Sequence, residues 1–180
     1  MQDLIYDVAV SADGFICGAD GDVALFPQEG AVVEDYLVRL RSYAVALMGR
    51  RTYEFGYAHG LSPGRNPYPW MRSAVVSATL HLPGDAEVEV WRPDGLAQRV
   101  AALKHEAPGP VYLCGGGILA GSLLAQGLID RLRLKRAPVL YGAGVPLFGP
   151  GAGPLAPSLA AQVVHGDGVV FQDLRLGVAA

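Results

Sequence analysis

The spacing of apolar and polar positions changes several times along the chain, and each change marks an element. Residues 4–10 are rich in strand formers and stop at the turn Ser11-Ala12-Asp13-Gly14, which predicts a first, central strand. Residues 15–30 carry Phe15, Ile16, a Gly-Asp and an Asp-Gly turn signal and Pro27 without periodicity, so they read as a long loop of the kind that serves as a lid or binding segment. From 31 to 42 the period is helical: Val33, Tyr36, Leu37 and Leu40 share a face, Glu34 borders it, and Asp35 and Arg39 lie opposite as a solvent-side i,i+4 pair. A buried strand is predicted over 44–48, and Gly49-Arg50-Arg51-Thr52-Tyr53-Glu54 turns into a short helix. After an irregular, proline-rich excursion over 59–69, strands are expected at 74–77 and 87–91, then a helix over 94–106 capped by Asp94.

Residues 111–134, VYLCGGGILAGSLLAQGLIDRLRL, read as strand, triple-glycine turn, helix and strand. The apolar run over 111–114 suits a strand covered on both faces, and Ile118, Leu119, Leu123, Leu124 and Leu128 then fall at helical spacing. A turn without Cβ atoms, followed by unpaired N–H groups at the positive end of a helix dipole, points to an anion such as a pyrophosphate. A corner that needs glycine only for tight packing gives the same pattern. Gly115, Gly117 and Ala120 also match G-x-G-x-x-A, but the turn comes late in the chain and Asp130 follows too soon for the ribose-binding acid of a Rossmann unit. Residues 132–140 read as a strand broken by Pro138, hence an edge or a bulge, 141–148 as a loop, and 160–164 with 169–176 as a closing antiparallel hairpin. No repeat or boundary interrupts the order. The expectation is one α/β domain over 1–180, its sheet mainly parallel with helices on both faces and an antiparallel C-terminal hairpin.

Composition narrows the function classes. With 51% hydrophobic and 17% charged residues the chain can fill a core, and disorder is not expected. The net charge of −3 and the absence of basic runs give no footprint for nucleic acid. The two cysteines, Cys17 and Cys114, form no metal or disulfide spacing, and the acidic N-terminus lacks an export signal, so a cytoplasmic location is expected. The uncharged stretch over 137–162 is too rich in glycine and proline to span a membrane as a helix. Arg50 and Arg51 at a helix start oppose its dipole, a poor arrangement unless an anion sits there, and the hydroxyls of Ser77 and Thr79 can reach a phosphate or ribose.

Five segments together resemble one family. They are Val10-Ser-Ala-Asp-Gly-Phe-Ile16, Met48-Gly-Arg-Arg-Thr-Tyr-Glu54, Val76-Ser-Ala-Thr79, Cys114-Gly-Gly-Gly-Ile-Leu119, and Gly127-Leu-Ile-Asp-Arg-Leu-Arg-Leu134 leading into Pro138-Val-Leu-Tyr-Gly-Ala-Gly-Val-Pro-Leu-Phe148. In this order they are similar to the dihydrofolate reductase-like fold, in particular the reductase domain of the riboflavin-biosynthesis deaminase–reductases and its stand-alone relatives. The resemblance implies NADPH across the C-terminal edge of the sheet, with Gly49, Arg50, Arg51 and Thr52 at the adenosine 2′-phosphate and Ser77, Ala78 and Thr79 on the adenosine side. Cys114, Gly115, Gly116, Gly117, Ile118 and Leu119 would take the pyrophosphate, and Ala9, Gly14 and Ile16 would flank the nicotinamide. Ser11, Asp13, Phe15, Tyr53 and Phe148 are the candidates for the substrate wall, and Glu34 for the acid.

Departures bear on the substrate. Folate reductases carry an acid on the first helix, whereas register against Gly49 puts Val33 at that place, one residue before Glu34. No H-x-E or P-C-x-x-C zinc deaminase motif is present. The expected activity is NADPH-dependent reduction of a C=N or C=O carbon in a small heterocyclic or sugar-derived compound, like 5-amino-6-(5-phosphoribosylamino)uracil reductase. A folate-type reductase and a non-catalytic nucleotide-binding module are the alternatives. No metal is expected, and a homodimer through 132–148 is.

Overall fold

The computed structural model describes residues 1–151 and 153–177. Its strands are β1 (Leu4–Ser11), β2 (Phe15–Cys17), β3 (Val45–Gly49), β4 (Arg72–Val76), β5 (Glu89–Trp91), β6 (Val111–Gly115), β7 (Arg131–Ala137), β8 (Val145–Pro146), β9 (Ser158–Val164) and β10 (Val170–Arg175). Its α-helices are α1 (Ala31–Leu40), α2 (Arg50–Phe55), α3 (Leu96–Glu106) and α4 (Gly117–Ala125). Eight strands form one sheet in the order β5-β4-β3-β6-β1-β7-β10-β9. The first six of that order pair in parallel, and β10 and β9 close the far side antiparallel. β1 is central, as its composition predicts.

Alternation along the strands sorts side chains to two faces. Leu4, Tyr6, Leu47 and Leu113 pack with α3 and α4 through Val100, Leu103, Leu119 and Leu123, while Ile5, Ala46 and Met48 pack with Leu40 of α1 and Tyr53 of α2. Helices on both faces explain why the inner strands are apolar at nearly every position. Each fully buried Leu of this core contributes roughly 1.5–3 kcal/mol relative to exposure. β7 divides more sharply: Leu132 and Leu134 join the α3–α4 side, and Lys135 and Arg133 reach Asp7 and Tyr43 on the α1 side.

Several expectations need correction. β7 ends before Pro138 and lies between β1 and β10, so it is not an edge, and its leucines are buried within its own chain. The sheet ends at β5 and β9, and β9 is exposed at every position, with Leu159, Val163 and Val164 at 57%, 47% and 68%. Asp94 does not cap α3; Gly95, in the left-handed region at φ 70°, makes that entry without any side-chain cap. α1 is rotated from its expected face: Val32 and Leu40 are buried, Leu37 is 52% exposed, and Arg39 turns inward to Asp7 instead of pairing with Asp35. A buried carboxylate on β1 supplies the reason. Two stretches read as loops also meet, since β2 pairs with β8 through Phe15 and Pro146.

Candidate active site

Parallel strands bring loops and helix starts from distant parts of the chain to the same C-terminal edge. At the end of β3, Gly49 starts α2, and at the end of β6, Gly116 starts α4; neither helix start has a side-chain cap. Their first N–H groups are therefore free of side-chain acceptors. The two turns are neighbours: a Cβ built on Gly49 would lie 3.9 Å from the Gly115 carbonyl oxygen, and one on Gly116 would lie 3.2 Å from Thr52 Oγ1. Gly115 and Gly116 have φ values of 131° and 91°, a backbone that side chains other than glycine rarely adopt.

Beside them lies the turn after β4. Ser77 Oγ accepts the Thr79 and Leu80 N–H groups at 3.1 and 2.9 Å, and Arg92 Nη1 donates to the Ser77 and Ala78 carbonyls at 3.2 and 2.5 Å. Arg50 donates from Nη1 to Thr79 Oγ1 at 2.8 Å and from Nε to Glu54 at 2.7 Å, which fixes its guanidinium between α2 and this turn. Arg51 is exposed next to it and has no ion pair among the described residues. Three arginines and two uncapped helix starts give this edge a positive character that suits an anion.

A cavity of about 400 Å³ opens between α1 and the same sheet. Ala9, Ile16, Val33, Tyr36, Cys114 and Lys135 line it, together with Asp7 and Tyr112. Cys114 directly precedes the glycine turn, so cavity and anion surface adjoin. A second space of about 280 Å³ shares Tyr36, Phe55, Tyr112 and Cys114 with it. In the larger cavity Asp7, 1% exposed, accepts from Lys135 Nζ at 2.5 Å, Tyr43 Oη at 3.0 Å and Arg39 Nε at 3.3 Å. The chain of contacts continues from Tyr43 to Arg133 at 3.0 Å and from Arg133 to Asp173 at 3.0 Å; Arg131 also holds Asp173, at 2.6 Å. Burial pushes the Asp7 carboxyl up, but the Lys135 ammonium and then Arg39 outweigh it and hold it below the usual carboxylate range. Burial lowers Lys135 from the ordinary lysine value, and Asp7 opposes this only in part. Burial also keeps the Cys114 thiol protonated, with Tyr68 Oη 3.1 Å from its sulfur.

The residues singled out in the sequence separate into groups. Ala9, Ile16 and Cys114 line the cavity; Gly49, Arg50, Arg51, Thr52, Ser77, Ala78, Thr79, Gly115 and Gly116 surround the anion surface. Gly117 is different, because a Cβ there would lie 2.2 Å from the Pro146 carbonyl oxygen, and Gly149 N–H donates to the Gly117 carbonyl at 2.7 Å. Its glycine serves packing against the 146–149 segment. Ile118 is exposed at the start of α4, and Leu119 is buried behind it.

The substrate-wall candidates are not assembled. Ser11 is buried and donates to Asp13 at 2.5 Å, and Asp13 accepts the Tyr141 and Gly142 N–H groups at 3.3 and 2.7 Å, so the pair fastens the β1 turn to the 141–142 backbone. Gly14 supports that turn at φ 89°, and its carbonyl accepts Leu147 N–H at 2.9 Å. Phe15 is in β2, and Phe148 packs edge-on to Tyr6 on the α3–α4 side. Tyr53 borders the smaller space, but its hydroxyl is committed to the Arg65 carbonyl and the Gly64 N–H. Glu34 is exposed and outside the cavity lining, whereas Val33 belongs to it. Asp7 and Lys135 are not among the sequence candidates, although a carboxylate amid an apolar strand and the alternation Arg131-Leu132-Arg133-Leu134-Lys135 are visible in the sequence.

Among the described residues there is no cluster of potential metal ligands and no helix long and apolar enough to cross a membrane. The sequence pattern of the RibD C-terminal domain family matches residues 2–170. YwjB of Bacillus subtilis (strain 168), an uncharacterized protein, is 28% identical over 142 residues, covering 78% of this chain and 79% of YwjB. The fold is that of a putative riboflavin biosynthesis protein from Shewanella sp. PV-4, with 22% identity, a TM-score of 0.81 and coverage of 99% of this chain and 100% of that one. It is also similar to a diaminohydroxyphosphoribosylaminopyrimidine deaminase/5-amino-6-(5-phosphoribosylamino)uracil reductase from Thermotoga maritima, at 16% identity and a TM-score of 0.69, covering 98% of this chain and 57% of that one. A dihydrofolate reductase from Enterococcus faecalis, complexed with NADP(H), shares 15% identity and a TM-score of 0.68, with 97% and 95% covered.

Proposed function

Because this chain belongs to the RibD C-terminal domain family, a reductase-type family, we propose that it is an NADPH-dependent reductase of a small heterocyclic or sugar-derived substrate. The observation that carries the reading is the pair of uncapped helix starts at the ends of adjacent strands β3 and β6, flanked by Arg50, Arg51 and Thr79. The residues fit the cofactor: Gly115 and Gly116 leave a cradle that side chains would fill, the α4 start would hold a pyrophosphate, and Arg50 and Arg51 would hold a 2′-phosphate. NADPH supplies a hydride when bound. Arg92 keeps the adenosine-side turn in place, and the apolar walls Ala9, Ile16 and Val33 exclude water from the reacting end.

For the substrate, a compound of the 5-amino-6-(5-phosphoribosylamino)uracil type is favoured over a pterin, since Val33 occupies the cavity wall and Glu34 does not. The test is a cofactor titration followed by turnover. NADPH is expected to bind more tightly than NADH and to be oxidised on addition of that pyrimidine. Replacing Arg50 and Arg51 with alanine should cost NADPH binding roughly 1–3 kcal/mol and leave NADH almost unaffected. Equal losses for both cofactors would sink the 2′-phosphate assignment, and a parent that ignores both would sink the reductase reading.

A further inference from the structure

Lys135 is a buried cation on the wall of the cavity, and its own chain does not use all of its donors. Its bond to Asp7 takes one of three N–H bonds, and the Tyr36 ring, with its centroid 4.0 Å from Nζ, attracts the charge without being a conventional acceptor. No second hydrogen bond from Nζ exists among the described residues. Asp7, by contrast, already accepts from three donors, Lys135, Tyr43 and Arg39. Donors exceed acceptors around Asp7: Lys135 and Arg39 share its one carboxylate, and Arg39 Nη2 is buried without a partner among the described residues. A buried ammonium left with unused donors is costly unless something in the cavity accepts from it.

We infer that Lys135, held by Asp7, is the acid of this site: it donates to the electron-rich atom of the substrate and passes its proton there as the neighbouring carbon is reduced. This rests on the reductase reading. With a C=N substrate, hydride from the nicotinamide forms the new C–H bond, and the C=N π pair moves onto nitrogen. That nitrogen takes a proton from Lys135, which is left as a neutral amine and regains a proton from solvent once the product has left. The ligand class follows: a compound with an imine nitrogen or carbonyl oxygen next to the reacting carbon, and no positive charge at that atom. Asp7 is a positioning residue, because its three partners fix the direction of the Lys135 chain.

The groups around Lys135 agree with the assignment. Asp7 faces it from β1, Tyr36 and Arg39 from α1, Tyr112 and Cys114 from β6. Of these only Asp7 is an anion. Burial raises the three others that can lose a proton, Tyr36, Tyr112 and Cys114, so they stay neutral at ordinary pH. Lys135 itself, lowered by burial, gives up its proton more readily than an exposed lysine does.

The chain has two lysines, Lys104 and Lys135, so lysine-selective nitrogen-15 labelling gives two side-chain signals, and the one missing from Lys135→Met belongs to Lys135. With oxidised cofactor present, saturating 5-amino-6-(5-phosphoribosylamino)uracil should move that signal and leave Lys104 in place. In single turnover, Lys135→Met should slow reduction by ~100-fold or more, with the NADPH dissociation constant within about twofold of the parent. If that variant does not fold, Lys135→Arg decides, since arginine keeps the charge and the Asp7 pair but does not release a proton; a loss of similar size is expected. A Lys135 signal indifferent to the pyrimidine, or a Lys135→Arg variant that turns over like the parent, would overturn the proposal. A parent that does not bind NADPH fails earlier, in the cofactor titration alone, and rejects the reductase reading itself.

Discussion

Asp7→Asn keeps the shape of the central β1 side chain and removes its charge. The carboxylate accepts from Lys135 at 2.5 Å, Tyr43 at 3.0 Å and Arg39 at 3.3 Å, and its side chain has no exposed surface. In the variant the amide NH2 must face one of those donors, and two cations lose their counter-charge. Breaking a buried pair of this kind costs ~3–5 kcal/mol. Arg39 keeps 21% of its side chain in solvent and can rehydrate, so the lower half of that range is expected. Urea unfolding at neutral pH without cofactor measures it, with buried Trp91 among the fluorescent reporters and an unchanged m-value as the check that only stability moved. Acid adds a second handle. The Asp7 carboxyl titrates lower in the folded than in the unfolded chain, so its stabilisation is complete above the unfolded value of about 3.9 and is lost as pH falls through the folded one. The difference between parent and variant should therefore hold from neutral pH down to about 5 and narrow below about 4. A variant within ~1 kcal/mol of the parent at neutral pH would refute the view that Asp7 anchors the buried cations, and so would a gap unchanged in strong acid.

Gly117→Ala should lower the melting temperature, with a cost of ~1–3 kcal/mol or more for forcing a Cβ against the Pro146 backbone; normal melting would show that the 146–149 segment yields freely. Arg92→Ala should weaken NADPH binding by roughly 1–2 kcal/mol by freeing the Ser77 and Ala78 carbonyls, and calorimetry showing parent affinity would remove Arg92 from the cofactor edge. The chain is expected to form a homodimer through the uncovered β9 strand, so light scattering should give a dimer mass that Leu159→Lys with Val163→Lys reduces to monomer. A parent of monomer mass at micromolar concentration rejects that interface.

What the sequence disclosed depended on how local the cause was. The glycine turn, the strand–helix order and the arginines at the start of α2 follow from period, φ demand and dipole sign within a few residues. Arg50 meeting Thr79 is a fair consequence, because parallel strands gather their C-terminal ends. Gly117 shows the limit: its lack of a side chain answers to Pro146, which approaches only in the folded chain. The sequence puts Arg39 in solvent because an i,i+4 partner is visible on a helical wheel, whereas a carboxylate on another element is not. The Asp7–Lys135 pair spans 128 positions, and only the fold reveals that the two oddities, an acid in an apolar strand and a lysine in an alternating one, answer each other.

The alternation along β7 also constrains how the sheet can assemble. Slipping that strand by one residue against β1 would send Arg131, Arg133 and Lys135 into the aliphatic layer of α3 and α4 and leave Leu132 and Leu134 opposite Asp7. Either half of that exchange is prohibitive, the first through stranded charge and the second through an abandoned carboxylate. The charged row therefore acts as a key cut for one register, so misaligned pairings of β1 and β7 cannot persist long enough to compete with the native one.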